Sequence, residues 1–468
     1  MHILKANAQR RTRVRLSLQI AVALILVLGL PPAAGAQEIP LSLEEAVAQA
    51  LERNPSALAA REAENASQAL HSQAVSRFFP RVDYTESFNR SNNPVFVFGS
   101  LLNQGRFTEE NFALDSLNNP DPLNNFRSQF MLQQPIFLGG RNYLGRAGAR
   151  IGVDMAAEGK KLADMHVIFE TLRTYFGVQV SERNLEVIEK AVAASREDLN
   201  RAQSLYDAGM VTEVDLLSIR VHLGALREEQ IRAENDLKVM SAELSQTLGL
   251  PLESEFALLT PLEHQPREVE GPALDELFVT ALESQPEMRM KDLEVESFRL
   301  ERKKANSMFL PTVAFNAGWE SNRPRFTGGG DSNWLVGVTL HVNLFQSLGK
   351  FYGSKAAAAG LRKAEAEKKK ADDATRLEIR RAYLDREAAA ERVEVAQESV
   401  SQARESHRIT EARYEGGLAN VTELLRSQNA MLKAEAQYLG AIYGGRLAEA
   451  RLELAVGTLH KESGAVKP

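Results

Sequence analysis

The sequence predicts a mainly α-helical chain that also carries two membrane β-hairpins. The first observation is a pair of long tracts without proline, from Ile136 to Leu250 and from Arg325 to Lys467. Most of each tract is rich in alanine, leucine, glutamate and other helix-favouring residues, whereas proline would interrupt a helix. The second observation is a pair of segments in which polar and apolar residues alternate and aromatic residues are concentrated. The third is an N-terminal export signal.

The first 36 residues have the organisation of a secretory signal peptide. Five lysine and arginine residues precede an apolar run from Leu16 to Leu30, and small residues follow as far as Ala36. The apolar run is short for a membrane-spanning helix, so we expect cleavage after Ala36 rather than a permanent N-terminal anchor. The mature chain, beginning at Gln37, then lies outside the cytoplasm.

Composition narrows the classes of function. Cleavage removes five basic residues from a chain of formal net charge −6, and an acidic protein is a poor nucleic-acid binder. Cysteine is absent, which excludes disulfides, thiolate catalysis, cysteine metal ligands and a bacterial N-terminal lipid anchor. The eight histidines are scattered, and no HExxH, GxSxG or Walker motif occurs in a suitable setting. We therefore expect no enzyme activity, no catalytic residue, no metal site and no cofactor.

Repeated motifs indicate that the mature chain contains two copies of one plan. The segments YDAGMVTEVDLL at 206–217 and YEGGLANVTELL at 414–425 lie 208 residues apart, whereas the beginnings of the two halves match at an offset of 231 residues. The difference places 23 extra residues between Pro80 and Phe137 of the first copy. The predicted division is a signal peptide at 1–36, a first repeat at 37–258, a linker at 259–271, a second repeat at 272–458 and a C-terminal tail at 459–468.

Each repeat is predicted to contain a long helix, a tight turn and a second helix. A helix from Gly140 to Tyr206 would be about 100 Å long. Gly209 and Gly417 suit a left-handed residue that ends a helix, and Thr212 or Asn420 can cap the next one. Apolar residues in the first tract step by three and four, which is typical of a coiled-coil seam. This seam consists of Leu162, Met165, Phe169, Leu172, Phe176, Ile188, Val192, Ser195, Leu199, Ala202 and Tyr206.

The segments at about 81–138 and 312–345 have the pattern of membrane β-hairpins. Ten of the 20 phenylalanines lie between Phe78 and Phe137, and both tryptophans lie in the second segment. Residues 334–344 alternate between apolar and polar side chains, as a membrane strand with one lipid-facing side does. A sheet packed on a soluble core is the alternative, but the aromatic clustering and the signal peptide favour the membrane.

The strands of the first hairpin are expected near 82–88 and 126–136, with solvent-facing loops at 91–125 and at 328–330. Four strands cannot close a barrel, and an open sheet edge cannot face lipid because its amide groups would lack partners. Two chains would supply eight strands, too few for an open pore, whereas three would supply twelve. We therefore expect a homotrimer.

Three groups of residues carry a resemblance to a known family: the opening LSLEEAVAQALERNPSALAAR at 41–61, the FFP and FLP entries to the hairpins, and the paired YxxG turns. With the order of elements, they make nearly all of the mature chain similar to the TolC family of outer-membrane efflux channels. The resemblance implies long coiled-coil helices forming an α-barrel across the periplasm and a shared trimeric 12-stranded β-barrel in the outer membrane. It also implies a passive conduit for tripartite efflux or type I secretion.

The resemblance further implies partners and a working end. The partners would be outer-membrane lipid, a periplasmic adaptor (membrane fusion) protein and an inner-membrane transporter of the RND, ABC or MFS type. The residues of the implied docking tip are Tyr206, Gly209, Thr212, Leu216, Tyr414, Gly416, Gly417 and Leu424.

The candidate aperture residues are Asp215, Glu423 and Arg426, the last of which replaces an acid found in some members. Arg426 follows Glu423 by three residues, a spacing that allows it to offset part of the negative charge. Alternatively, both acids are ordinary solvated residues near a helix start.

For the whole chain, the alternative is a periplasmic coiled-coil adaptor or scaffold without a pore, which would not need the paired strands.

Overall fold

A computed structural model describes residues 39–262, 272–345 and 348–466, so the predicted signal peptide and most of the predicted linker lie outside the described residues. Both halves have the same order of elements: two helices, a β-hairpin, a very long helix and a shorter helix. The first half contains β1 (Ile39–Leu41), α1 (Leu43–Arg53), α2 (Pro55–Ser76), β2 (Arg81–Ser91), α3 (Pro94–Asn103), α4 (Leu114–Asn118), β3 (Leu123–Leu138), α5 (Arg141–Asp207), α6 (Glu213–Leu248) and β4 (Phe256–Leu258). The second half contains α7 (Leu274–Ser284), α8 (Pro286–Ser307), β5 (Thr312–Arg323), β6 (Asp331–His341), α9 (Gly349–Glu415) and α10 (Val421–Val456).

Corresponding helices of the two halves have the same length. Helices α5 and α9 each contain 67 residues, and α6 and α10 each contain 36. A helix of 67 residues extends for about 100 Å. The prediction of long helices is therefore confirmed. Along α5 the predicted seam is largely buried from Met165 to Ala202, whereas its last member, Tyr206, is 39% exposed.

The largest hydrophobic core lies where α1 and α5 pack with the C-terminal parts of α6 and α10. Tyr175 of α5 is fully buried, and its hydroxyl donates to the carbonyl oxygen of Leu41 at 2.9 Å. The hydroxyl oxygen of Tyr175 in turn accepts the N–H of Thr260 at 3.0 Å. Leu262, in the predicted linker, and Val466, in the predicted tail, are buried in this core. Residues of both segments therefore contribute to the core.

The hairpins form one four-stranded antiparallel sheet in the order β2-β3-β5-β6. Residues that oppose one another in adjacent antiparallel strands project to the same side. The register places Tyr84, Phe130, Trp319 and Trp334 in one row across the sheet. That side, the apolar face, also contains Val82, Leu132, Phe315, Ala317, Val336 and Val338. The opposite side, the polar face, contains Arg81, Thr85, Gln129, Gln133, Asn316, Glu320 and Thr339.

The first hairpin differs from its sequence prediction. Its strands are longer than 82–88 and 126–136, because polar residues at their ends remain paired in the sheet, as Arg90 does with Asn124. The region predicted as a solvent-facing loop at 91–125 instead contains α3, a 3₁₀ turn and α4, followed by the start of β3. Within the described residues, no helix is both long enough and apolar enough to cross a bilayer.

The fold of this insert has a local cause. The side chain of Asn93 caps α3 by accepting the N–H of Phe96 at 3.1 Å, and Pro94 occupies the first turn. Asparagine at the cap and proline just after it are both favourable at a helix start.

Candidate functional site

Two tight turns connect the long helices at one end of the molecule. After α5, Gly209 adopts a left-handed conformation with φ of +78°, and the N–H of Met210 donates to the carbonyl of Leu205 at 2.8 Å. Thr212 then caps α6 in a capping box with Asp215, whose own N–H donates to the threonine hydroxyl at 3.2 Å. In return, the Asp215 carboxylate accepts the N–H of Thr212 at 3.1 Å. The turn thus satisfies backbone groups on both helices.

The second turn repeats this geometry with different side chains. Gly417 has a φ of +71°, whereas Gly416 has an ordinary negative φ. Asn420 caps α10 by accepting the N–H of Glu423 at 2.9 Å. The Glu423 side chain is exposed and lies 3.9 Å from the guanidinium of Arg413. At that distance, and between exposed groups, the pair contributes little stability.

A small apolar cluster holds the two turns together. It is built from Leu216, Ala202, Ile219 and Val421, all buried, and Tyr414 packs against it. Leu424, on the second turn, is also buried. Tyr414 is half-buried and its hydroxyl oxygen is buried without a hydrogen-bond partner, whereas its counterpart Tyr206 is exposed. Burial, followed by the negative charges of Asp198 and Asp215, raises the pKa of Tyr414. The two tyrosines therefore have different environments despite their equivalent positions in the repeat.

The predicted aperture residues occupy different settings within one chain. Asp215 is partly covered and engaged in its capping box, while Glu423 and Arg426 are both exposed. In the described part of the chain, the ion pair of Glu423 is formed with Arg413 and not with Arg426. Whether these side chains meet their symmetry copies stays a prediction about the assembly.

Sequence reasoning missed a charged contact just above the turns. Arg201 of α5 pairs with Glu415 of α9 at 2.5 Å and so joins the two helical hairpins. Nearby, burial raises the pKa of the Asp198 carboxyl, and the like charge of Glu411 raises it further, against the opposing effects of Arg201 and His407. The Nδ1 of His407 lies 3.0 Å from the Ser427 hydroxyl of α10. Arg201 and Glu415 are 214 residues apart in sequence, so only their similar distance from the repeated turns could have suggested that they meet.

A second polar contact is buried between α6 and α10. The Nε2 of His222 lies 3.1 Å from the Oε1 of Gln428, and burial lowers the pKa of His222. Across 39–262, 272–345 and 348–466, no three histidine, aspartate or glutamate side chains are grouped so as to hold a metal ion.

Exposed apolar side chains surround the turns. Met210, Val214 and Leu217 are exposed on the first turn and its following helix, and Leu418 is exposed on the second. Clustered apolar exposure is a feature of protein interaction sites. We call these four residues the tip patch.

Comparison with known proteins identifies the family. The model of the outer membrane efflux protein family matches residues 46–250 and 277–458, which together are well over half of the chain. The chain belongs to the outer membrane efflux protein family. It is therefore an outer-membrane efflux channel protein, which confirms the predicted family, function and outer-membrane location. The family and the similar structures are those of channels, not of enzymes.

Individual relatives are distant in sequence but similar in fold. Protein CyaE of Bordetella pertussis is 23% identical over 333 residues, covering 70% of each protein. The CmeC outer membrane channel of Campylobacter jejuni superposes with a TM-score of 0.77 at 17% identity, covering 90% of this chain and 87% of CmeC. For VceC of Vibrio cholerae the TM-score is 0.73 at 16% identity, with coverage of 89% and 96%. The MtrE channel of Neisseria gonorrhoeae, in its open state, gives 0.73 at 14% identity, with 90% of each chain covered.

Proposed function

We propose that three copies of this efflux channel protein form one passive conduit across the outer membrane and periplasm. Each copy supplies its four-stranded sheet to a shared twelve-stranded β-barrel, and the long helices continue as an α-barrel to the paired turns. The observation that carries the proposal is the sheet itself, in which β2 and β6 form the two edges within the described chain. Edge strands cannot face lipid with unpaired amide groups, so β2 of one copy pairs with β6 of the next.

The two sides of the sheet support this arrangement. Residues on the apolar face such as Trp334, Val336 and Leu340 are exposed in the single chain and would contact outer-membrane lipid. The row of four aromatic residues crosses the whole apolar face, and aromatic residues on the outer side are typical of membrane β-barrels. The polar face would then line the lumen. No catalytic step is part of this function.

The paired turns are proposed as the end at which a periplasmic adaptor docks, linking the conduit to an inner-membrane transporter. The tip patch supports this role because its four apolar side chains are exposed in the single chain, as at many protein interaction sites. Leu418→Glu should abolish adaptor binding in a pull-down without changing assembly of the channel itself. Undiminished binding by this variant would remove the tip patch from the docking site.

The oligomeric state is tested by native mass measurement of the mature protein extracted from outer membranes in detergent. The expected mass is that of three chains. A single chain in a soluble fraction, or a stable dimer, would contradict the shared barrel.

A further inference from the structure

The insert in the first hairpin crosses one end of the sheet. Helix α3 starts after Asn93, beside β2, and packs against β3, β5 and β6. Just after its end, Gly105 lies against Asp331 at the start of β6. A ten-residue helix is about 15 Å long, close to the width of three interstrand gaps. Helix α3 is thus long enough to span the sheet from one edge to the other.

Hydrogen bonds fix the side of the sheet that α3 covers. Gln104, which is 3% exposed, donates from Nε2 to the carbonyl of Asn124 at 2.9 Å and to Oδ1 of Asn125 at 3.0 Å. The Nδ2 of Asn125 donates to Oδ1 of Asn322 at 2.8 Å, and Asn322 is 1% exposed. The strand register places Asn125 and Asn322 on the polar face. Helix α3 therefore lies over the polar face and not over the apolar one.

We propose that α3 is a lid that lies across the lumen at the external mouth of the channel and limits the size of molecules that pass. The inference rests on the proposed barrel, in which apolar residues face lipid and polar residues face the lumen. The mouth in question is external because the insert connects β2 to β3 at the end of the sheet away from the long helices.

The proposed barrel is narrow enough for three helices to obstruct it. Twelve strands spaced by about 4.8 Å and tilted by about 40° enclose a bore of about 24 Å between opposite backbones. A helix with its side chains is about 10 Å across. Three helices lying on the wall would therefore fill most of the bore.

The exposed side of α3 indicates which surface it would contact in the trimer. Val97 and Ser100, which lie on the same side of the helix as Gln104, are buried, whereas Val95 is 80% exposed and Leu102 is also exposed. In the trimer this apolar side would point towards the axis, where the other two copies of α3 lie. The rings of Phe98 and Phe107, 4.9 Å apart, help to hold the insert as a folded unit.

Because the chain has no cysteine, access past the lid can be measured with one reporter thiol. Gln133→Cys places it on the exposed part of the polar face, about 26 Å along β3 from Asn125. Intact cells are treated with a small impermeant maleimide or with the same group on a bulky polyethylene glycol. The small reagent should label the reporter, and the bulky one should label it several-fold more slowly.

Two changes should open the mouth: replacement of 94–118 by a short glycine-serine linker, and Gln104→Ala, which removes the bonds holding α3 to β3. Each should remove the discrimination between the reagents, whereas Gln129→Ala, a matched change on the polar face, should leave it intact. Equal labelling by both reagents with the lid intact, or unchanged discrimination in both lid variants, would overturn the lid. Failure of every reagent to label Gln133→Cys in all variants would instead contradict the luminal assignment and the proposed barrel.

Discussion

An arginine should have different effects on channel stability at two neighbouring residues of β6, because they lie on opposite faces of the sheet. Val338 lies on the apolar face and Thr339 on the polar face, and both are exposed in the single chain, so each position has room for arginine. Val338 is four residues from Trp334, or about 10 Å in height along a tilted strand, near the middle of an apolar band about 25 Å tall. Arginine at the bilayer midplane costs about 2–4 kcal/mol on the lipid face.

Three copies of Val338→Arg should therefore destabilise the assembled channel by about 6–12 kcal/mol. Thr339→Arg loses only a long hydrogen bond from Asn316, at 3.4 Å, and should have a small effect. Urea unfolding of channels reconstituted in bilayers measures the difference, with the yield of trimers in outer membranes as a second readout. Similar losses for the two variants would refute the assignment of faces.

Three further predictions follow from the insert and the paired turns. An epitope inserted after Asn119, which precedes β3, should be tolerated and labelled on intact cells, whereas insertion after Asn124, within β3, should prevent assembly. If the turns converge on the threefold axis, block of single-channel conductance by divalent cations from the turn side should weaken in Asp215→Ala and in Glu423→Ala; equal sensitivity in all three proteins would exclude the carboxylate rings. Burial raises the pKa of Asp198, so the folded protein favours the protonated carboxyl. Its contribution to stability is therefore full below the ordinary aspartate pKa, and it is lost as pH rises through the raised value and the buried carboxyl becomes charged. Asp198→Asn should therefore slow hydrogen exchange at the turns more at about pH 7 than at about pH 4, and an equal effect at both would contradict this reasoning.

The helices and turns were predictable because their signals are local. The absence of proline defined the long tracts, and one glycine and one capping residue marked each turn. Those signals correspond directly to the left-handed Gly209 and Gly417 and to the capping bonds of Thr212 and Asn420. Unpaired backbone N–H and C=O groups at a helix end need nearby hydrogen-bond partners. The residues that supply those partners are therefore adjacent in the sequence.

The insert was wrongly predicted because its composition concealed a helix. Asparagine, proline and phenylalanine together are typical of loops, yet Asn93 and Pro94 are also a favourable start for a short helix. The polar ends of β2 and β3 were missed for a different reason. Arg90 and Asn124 lack the apolar alternation that marks a membrane strand, and only their pairing with each other keeps them in the sheet.

Contacts between the halves were beyond local reasoning. Arg201 and Glu415 lie on different helical hairpins, and no periodicity in either helix specifies that they meet. The unequal burial of Tyr206 and Tyr414 is of the same kind, because it depends on which side of each turn packs against the other half. Sequence similarity between repeats identifies equivalent positions in the chain but does not make their surroundings equivalent.

The duplicated helices and the single insert have different consequences for the proposed trimer. Equal helix lengths in the two halves allow three chains to supply six near-equivalent helical hairpins around one axis. A lid on every β-hairpin would bring six helices, each about 10 Å across, into a bore of about 24 Å, which cannot hold them. The second hairpin instead turns within 324–330, while the first carries α3. In the proposed trimer, the bore therefore receives three lids, one from the first hairpin of each chain.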